Sequence, residues 1–241
     1  MSERRRLEMA VVGARLLKDH ERVLVGVGLP NLAANLAKRL HAPNLVLVYE
    51  SGIIDASPPQ LPLSIGDPDL VRTSLCVLPM SELFSQYLQT GWIDVGFLGG
   101  AQVDEWGNLN STVIGDYASP RTRLAGSGGA ADIASFNRRT VVLMPHERQR
   151  FPARVDFITS PGHEPGKRRP GGPSHVVTDL GLLDFDQDGR MRLVAVHSGV
   201  SVAEVEENTG FPLNIASHLT EIPAPTTSEV STYQALIGVQ L

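Results

Sequence analysis

Apolar positions recur along this chain with two different periods. Near the start, Leu7, Val11, Ala14 and Leu17 fall at helical spacing, and Ser2 stands ready to cap. Arg22–Gly26 (RVLVG) is a short continuous apolar run and reads as a buried strand. Gly28, Leu29 and Pro30 predict a turn. Asn31 is then placed to cap a second helix, whose Leu32, Leu36 and Leu40 share one face. Asn44–Tyr49 (NLVLVY) is the second apolar strand. Strand, helix and strand in that order make a crossover unit, which favours a parallel sheet wound right-handedly.

Beyond Tyr49 the pattern loosens. Residues 52–75 are rich in Pro, Ser, Gly and Asp and read as an irregular connection, a length that in a compact domain usually serves function. Ser81 caps a predicted helix carrying Leu83, Phe84, Tyr87 and Leu88, and Gly91 stops it. Ile93–Leu98, Thr140–Met144 and Val155–Thr159 are further short strands, and a helix is expected over 131–137. Residues 161–174 hold four prolines and four glycines and predict a mobile loop. Leu182–Phe185 and Met191–Val196 flank a turn at Asp186–Gly189 and read as a hairpin. Ser201 with Glu204 makes a capping box for a helix that Gly210 ends. No repeat and no linker interrupts the chain, so one domain over 1–241 is expected.

Composition narrows the class. The 241 residues are 42% apolar and 20% charged, which suits a folded globule and excludes general disorder. A net charge of -5 argues against binding nucleic acid by phosphate neutralisation. No run of about 18 apolar residues is present to span a membrane. The basic N-terminus MSERRRLEMA lacks the apolar core of a signal peptide. The single cysteine, Cys76, lies between Leu75 and Val77, reads as a small buried hydrophobe, and fits a reducing, cytoplasmic setting.

Several familiar signals fail. Asp184, Asp186, Asp188 and Gly189 imitate a calcium loop, but Ala195 stands where its closing glutamate belongs. The seven histidines show no tight ligand spacing, so no metal site is expected. Gly26 and Gly28 follow a strand, but Asn31 replaces the third glycine of a dinucleotide fingerprint. Lys167-Arg168-Arg169 can meet phosphate, but a solvated loop is the commoner reading of such a run.

Three segments survive, each rich in small residues at or near a strand end. Glu50-Ser51-Gly52 sets a carboxylate just past an apolar strand, where open α/β sheets form their ligand crevices. A partly desolvated carboxylate there can serve as nucleophile or base; a turn glutamate reaching into solvent is the plainer reading of that residue alone. Gly126-Ser127-Gly128-Gly129-Ala130 lets main-chain amides approach a ligand, or else forms a flexible turn before a helix. Gly99-Gly100-Ala101-Gln102-Val103-Asp104 continues through Gly107-Asn108 to Gly115-Asp116-Tyr117.

Taken in this order, with Gly26-Val27-Gly28-Leu29-Pro30, Leu63-Ser64-Ile65-Gly66-Asp67 and Thr159-Ser160-Pro161-Gly162, these segments resemble the B (β) subunit of family I coenzyme A transferases of the glutaconate and 3-oxoadipate type. The resemblance covers most of the chain. It implies an α/β fold with a mainly parallel sheet flanked by helices, the NagB/RpiA/CoA-transferase-like fold. It implies Glu50 as the catalytic nucleophile, carrying coenzyme A as a glutamyl thioester between two carboxylic acids, a dicarboxylate or 3-oxo acid among them. It implies Gly128, Gly129 and Ala130 as the oxyanion-hole and CoA loop, and Gly28, Ser51, Gly99, Gly100 and Gln102 as substrate- or CoA-binding positions. Coenzyme A enters as substrate, with no permanently bound cofactor. The required partner is an A (α) subunit of similar fold, without nucleic acid or membrane. Relatives lacking the glutamate act as hydrolases or decarboxylases on CoA esters, and more distant ones as sugar-phosphate-binding domains. Retained Glu50 favours transfer. A segment around 163–174 shorter than in glutaconate-type relatives leaves the acyl group open.

Overall fold

The computed structural model describes residues 1–62, 64–166 and 171–238. By their internal contacts they form two compact units, one of Met1–Leu98, Phe136–Arg138 and Ala224–Leu241, the other of Gly99–Ser135 and Arg139–Pro223. Each unit is built from several stretches of chain, which is why no linker shows in the sequence. The fold is α/β, a mainly parallel sheet flanked by helices.

In the first unit the elements run α1 (Glu3–Arg15), β1 (Arg22–Val25), α2 (Leu29–Leu40), β2 (Val46–Tyr49), β3 (Ile53–Ile54), α3 (Pro68–Arg72), β4 (Cys76–Val77), α4 (Met80–Glu82) and β5 (Val95–Leu98). Ser2 caps α1 as expected, its side chain accepting from the Arg5 amide. β1 pairs in parallel with β2 on one side and β5 on the other, and Val25 stands opposite Tyr49. The three strands are buried almost throughout, so they read as continuous apolar runs rather than alternating ones. Arg22 grips Asp94 through Nε at 2.6 Å and a terminal nitrogen at 2.8 Å, tying the start of β1 to the start of β5. The C-terminal helix Thr227–Ile237 opens on a capping box made by Thr226 and Glu229. Glu229 also receives Arg15 of α1 at 2.8 and 2.7 Å.

Several expectations change here. Asn31 does not cap α2: the helix starts at Leu29 behind Gly28, because Pro30 suits a first helical turn, where no amide bond is lost. Residues 52–75 are not wholly irregular, since they supply β3 and α3. Ser81 lies inside its helix rather than at the cap, which is Pro79, and the chain continues as a π-helical turn over Leu83–Leu88. Gly91, at φ +74°, ends it with its amide on the Leu88 carbonyl. Cys76 is exposed on the short strand β4, not buried.

The second unit contains β6 (Gln102–Val103), β7 (Leu109–Asn110), β8 (Val113–Gly115), β9 (Pro120–Arg123), α5 (Ala130–Phe136, save its last residue), β10 (Arg139–Leu143), β11 (Pro173–Val177), β12 (Gly181–Phe185), β13 (Met191–Val196), α6 (Val202–Glu207) and β14 (Asn214–Glu221). β10 and β11 run parallel, β11–β12 and β12–β13 antiparallel, and β13–β14 parallel. β12 and β13 form the expected hairpin. β13 alternates buried and half-buried positions, the period of a sheet covered on one face. Ser201 accepts from the Glu204 amide at the start of α6, which ends at Glu207, before Gly210.

Val155–Thr159 is not a strand. Its end is held instead against β7, with the Thr159 and Ser160 amides both on the Leu109 carbonyl. The predicted loop at 161–174 is packed at both ends. Gly162 sits against the backbone of Trp106–Asn108, His163 is buried with Nε2 2.8 Å from the Pro173 carbonyl, and β11 begins at Pro173. Residues 167–170 of that expectation, the Lys167–Arg169 run among them, lie outside the described residues. Among the described residues no helix is long and apolar enough to cross a membrane, and no three His, Cys, Asp or Glu side chains gather as a metal set.

Candidate active site

The first cluster forms at the carboxyl edge of β1 and β2. Tyr49 ends β2, and the next three residues close a hydrogen-bonded turn in which the Gly52 amide donates to the Tyr49 carbonyl at 2.9 Å. Glu50 and Ser51 are its two central residues. Glu50 is half-buried and follows directly on the end of β2, where the turn fixes its backbone. Gly52 has φ +93°, and a Cβ there would collide with the Leu78 carbonyl, so only glycine suits this turn. Ser51 Oγ donates to the Ile65 carbonyl at 2.6 Å, pinning the following loop to the turn.

Beneath the turn lies a polar chain. The buried Tyr49 hydroxyl donates to Asn31 Oδ1 at 2.9 Å, and Asn35 Nδ2 donates to the same oxygen at 2.8 Å. Burial pushes the Tyr49 phenol up to about 12, so it stays protonated and donating. Asn31 thereby locks β2 to the first turn of α2. Gly28, at φ +80°, precedes that helix with no side-chain cap, and a Cβ on Gly26 or Gly28 would meet no atom within 4 Å. The register places this open glycine turn one strand from Glu50, with the partly positive end of α2 facing the same edge.

The second cluster belongs to the other unit. Gly126 is clamped by its amide on the Ser111 carbonyl at 2.8 Å, while its own carbonyl receives Ser111 Oγ, also at 2.8 Å. The Ala130 amide donates to the Ser127 carbonyl, and Ser127 Oγ accepts from Ala131. Between these anchors, no acceptor among the described residues is bonded to the Gly128 or Gly129 amide. Ala130 thus differs from its neighbours: its N–H already has a partner. Gly128, at φ +49°, borders open space.

Gly99, Gly100 and Gln102 are tightly built. A Cβ on Gly100 would stand 3.3 Å from the Asn110 carbonyl, and one on Gly99 3.4 Å from that of Leu143. Gln102 Oε1 accepts from Asn110 Nδ2 at 2.7 Å and the Asp156 amide at 3.0 Å, and its Nε2 donates to Asp156 Oδ2 at 3.1 Å. Asp104 likewise collects the Trp106 and Asn108 amides and the Asn108 side chain, while burial pushes its carboxyl above the usual range. Much of the Gln102–Asn110 motif therefore serves to fold its own turn.

A coenzyme A transferase family signature matches residues 6–208. The chain belongs to the coenzyme A transferase family. It is 44% identical over 236 residues to the B subunit of 3-oxoadipate CoA-transferase from Pseudomonas knackmussii, covering 95% of this chain and 91% of that one. It is 42% identical over 229 residues to the B subunit of glutaconate CoA-transferase from Acidaminococcus fermentans, covering 90% and 85%. The crystal structure of glutaconate coenzyme A-transferase from Acidaminococcus fermentans superposes with a TM-score of 0.90 at 39% identity over 98% of both chains. The protein is thus a CoA-transferase subunit of the B type, an enzyme component that handles coenzyme A as substrate.

Proposed function

We propose that this subunit supplies the nucleophile, Glu50, and that the assembled enzyme moves coenzyme A from an acyl-CoA to a dicarboxylic or 3-oxo acid. The observation that carries the reading is the Tyr49–Gly52 turn, held by a buried tyrosine and an obligatory glycine, which fixes the backbone of Glu50 at the carboxyl end of β2. The dicarboxylic class rests on the names of the two relatives. Both are B subunits, so the partner is an A subunit.

The steps follow from carboxylate chemistry. A Glu50 oxygen attacks the thioester carbonyl, the C–S bond breaks, and a mixed anhydride and CoA thiolate result. The thiolate attacks the glutamyl carbonyl of the anhydride, releasing the first acid as carboxylate and leaving a glutamyl–CoA thioester. The acceptor carboxylate attacks that thioester, again forming an anhydride and thiolate. The thiolate then attacks the acceptor's acyl carbon, giving the new acyl-CoA and free Glu50. Every intermediate stays activated, so no other energy source enters.

Each attack passes through an oxyanion. We assign it to the Gly128 and Gly129 amides, which have no bonded acceptor among the described residues, and loss of one such donor typically costs about 10²–10³ in rate. Ala130 contributes by fixing the loop. Open space at Gly28 admits ligand close to the backbone, Ser51 holds the loop beside the nucleophile, and packed Gly99 and Gly100 lead into Gln102, whose buried amide braces that turn through Asn110 and Asp156.

Incubating the co-expressed assembly with acyl-CoA alone tests the reading, because the first half-reaction needs no acceptor. Intact-mass measurement should show CoA added to this chain, with the thioester mapped to Glu50. Glu50→Gln should keep the assembly and trap nothing, since an amide is a poor nucleophile. A hydrolase using Glu50 as base would consume acyl-CoA with water and leave no adduct, and that outcome overturns the proposal.

A further inference from the structure

The β8–β9 hairpin of the second unit displays an aromatic stack at its tip. Tyr117, in the loop between the two strands, is 57% exposed. Its ring lies 5.2 Å from that of the half-buried Phe157, with the planes 23° apart, and the Arg123 guanidinium sits 4.9 Å from its centroid. The loop is held in shape. Asp116 Oδ1 takes the Ala118 and Ser119 amides at 2.8 and 3.0 Å, and an Arg123 terminal nitrogen donates to the Tyr117 carbonyl at 3.1 Å. Arg121, exposed on β9, has no hydrogen-bond or ion-pair partner among the described residues, and Arg123 has only that carbonyl and the ring. The acids of the same segments are bonded to amides instead, Asp116 as above and Asp156 Oδ2 by Gln102 and Gly115. Arg121 also shares a pocket of about 230 Å³ with Arg150, of which only Nε is engaged, by Glu147 at 3.1 Å.

We propose that this hairpin binds the nucleotide end of coenzyme A, with adenine against the Tyr117–Phe157 stack and a phosphate group held by Arg121 and Arg150. Every base has a π-face, and aromatic rings and guanidinium planes hold one by stacking without enclosing it. Guanidinium forks match phosphate oxygens in bidentate fashion. Coenzyme A is strongly anionic and the chain's net charge is -5, so arginines free of carboxylate partners beside an exposed ring are the local exception such a ligand needs. The pocket admits a phosphate group. It falls short of the roughly 300–1,000 Å³ that encloses a drug-sized ligand, which leaves the base outside, on the rings. The Gly126–Gly129 loop is rooted at the base of the same hairpin, since the Leu124 and Gly126 amides donate to the Thr112 and Ser111 carbonyls. From there to the tip is on the order of 10 Å at about 3.3 Å per residue, less than the length of an extended pantetheine arm. The site lies wholly within the second unit. It rests on coenzyme A being the substrate and not on the role of Glu50.

The test uses the enzyme assembled with its A subunit, glutaryl-CoA as donor, and adenosine 3′,5′-bisphosphate as a probe of the nucleotide end. The bisphosphate should inhibit competitively against glutaryl-CoA. Tyr117→Ala should weaken that inhibition about tenfold or more, the usual range for losing a stacking ring. It should raise the KM for glutaryl-CoA by a similar factor, with the KM for glutaryl-pantetheine, which lacks the nucleotide, moving by less than about twofold. Tyr117→Phe keeps the ring and should restore the parent values. Arg121→Gln should narrow the gap between bisphosphate and adenosine about tenfold, the usual size for losing a charged hydrogen bond, since only the bisphosphate carries phosphate. Failure of the bisphosphate to inhibit the parent overturns the proposal. So does an equal rise in KM for both donors in Tyr117→Ala, or an unchanged gap in Arg121→Gln. Calorimetric titration of the Glu50→Gln assembly with the bisphosphate needs no chemistry, so it decides this site by itself. A missing CoA adduct on Glu50 sinks only the nucleophile assignment.

Discussion

Gly52→Ala isolates the turn on which the proposed nucleophile depends. At an ordinary position such a change stabilises by about 0.4–1 kcal/mol, because alanine restricts the unfolded chain. At Gly52 the sign reverses. Its φ of +93° is strained for any residue with a Cβ, at a cost of about 1–3 kcal/mol. The added carbon would stand 2.9 Å from the Leu78 carbonyl carbon and closer still to its oxygen, and these are backbone atoms that cannot swing aside. Relief requires the Leu78 segment to move, which weakens the 2.8 Å bond from the Leu78 amide to the Gly52 carbonyl, worth about 0.5–1.5 kcal/mol. The total is about 1.5–4.5 kcal/mol, and the short, exposed strand β4 limits it by yielding locally. A displacement of about 1 Å at the neighbouring Glu50 lowers turnover roughly 10²-fold. Urea denaturation of the chain measures the first quantity, and kcat of the co-expressed assembly the second. A variant within about 0.5 kcal/mol of the parent, turning over at the parent rate, would refute the reasoning.

Two other outcomes are expected. Tyr49→Phe removes the hydroxyl from buried Asn31 and should destabilise by about 1–2 kcal/mol in denaturation, with a fall in kcat larger than the change in KM because the turn loosens rather than a ligand contact. His146 is buried between Thr178 and Thr209, stacked on Phe151, and burial lowers its pKa to about 4. The unfolded chain binds a proton at this residue near pH 6.5 and the folded protein only near 4, so stability is full above about 6.5 and falls as pH drops through that window. The loss attributable to this residue approaches about 3 kcal/mol by pH 4, and His146→Gln should flatten the urea midpoint between pH 7 and 5 relative to the parent.

Periodicity alone located α1, β1, β2, β5, β10 and the β12–β13 hairpin, because their apolar positions are set by a short-range repeat that burial demands in any fold of this class. The order of the Glu50 turn and the glycine loops was equally legible, and it pointed to the family without any geometry. The misses share a cause: the deciding partner lies far along the chain. Asn31 has a cap residue's chemistry, yet Tyr49, eighteen positions on, claims its oxygen. Val155–Thr159 has a strand's composition, yet β7 takes its backbone bonds. Cys76 sits among apolar neighbours, but edge strand β4 leaves it exposed. Gly52 looks like one flexible residue among many until the Leu78 carbonyl shows why nothing larger fits. Local preference specified which segments would bury themselves, and long-range pairing decided which side chains were left facing a ligand.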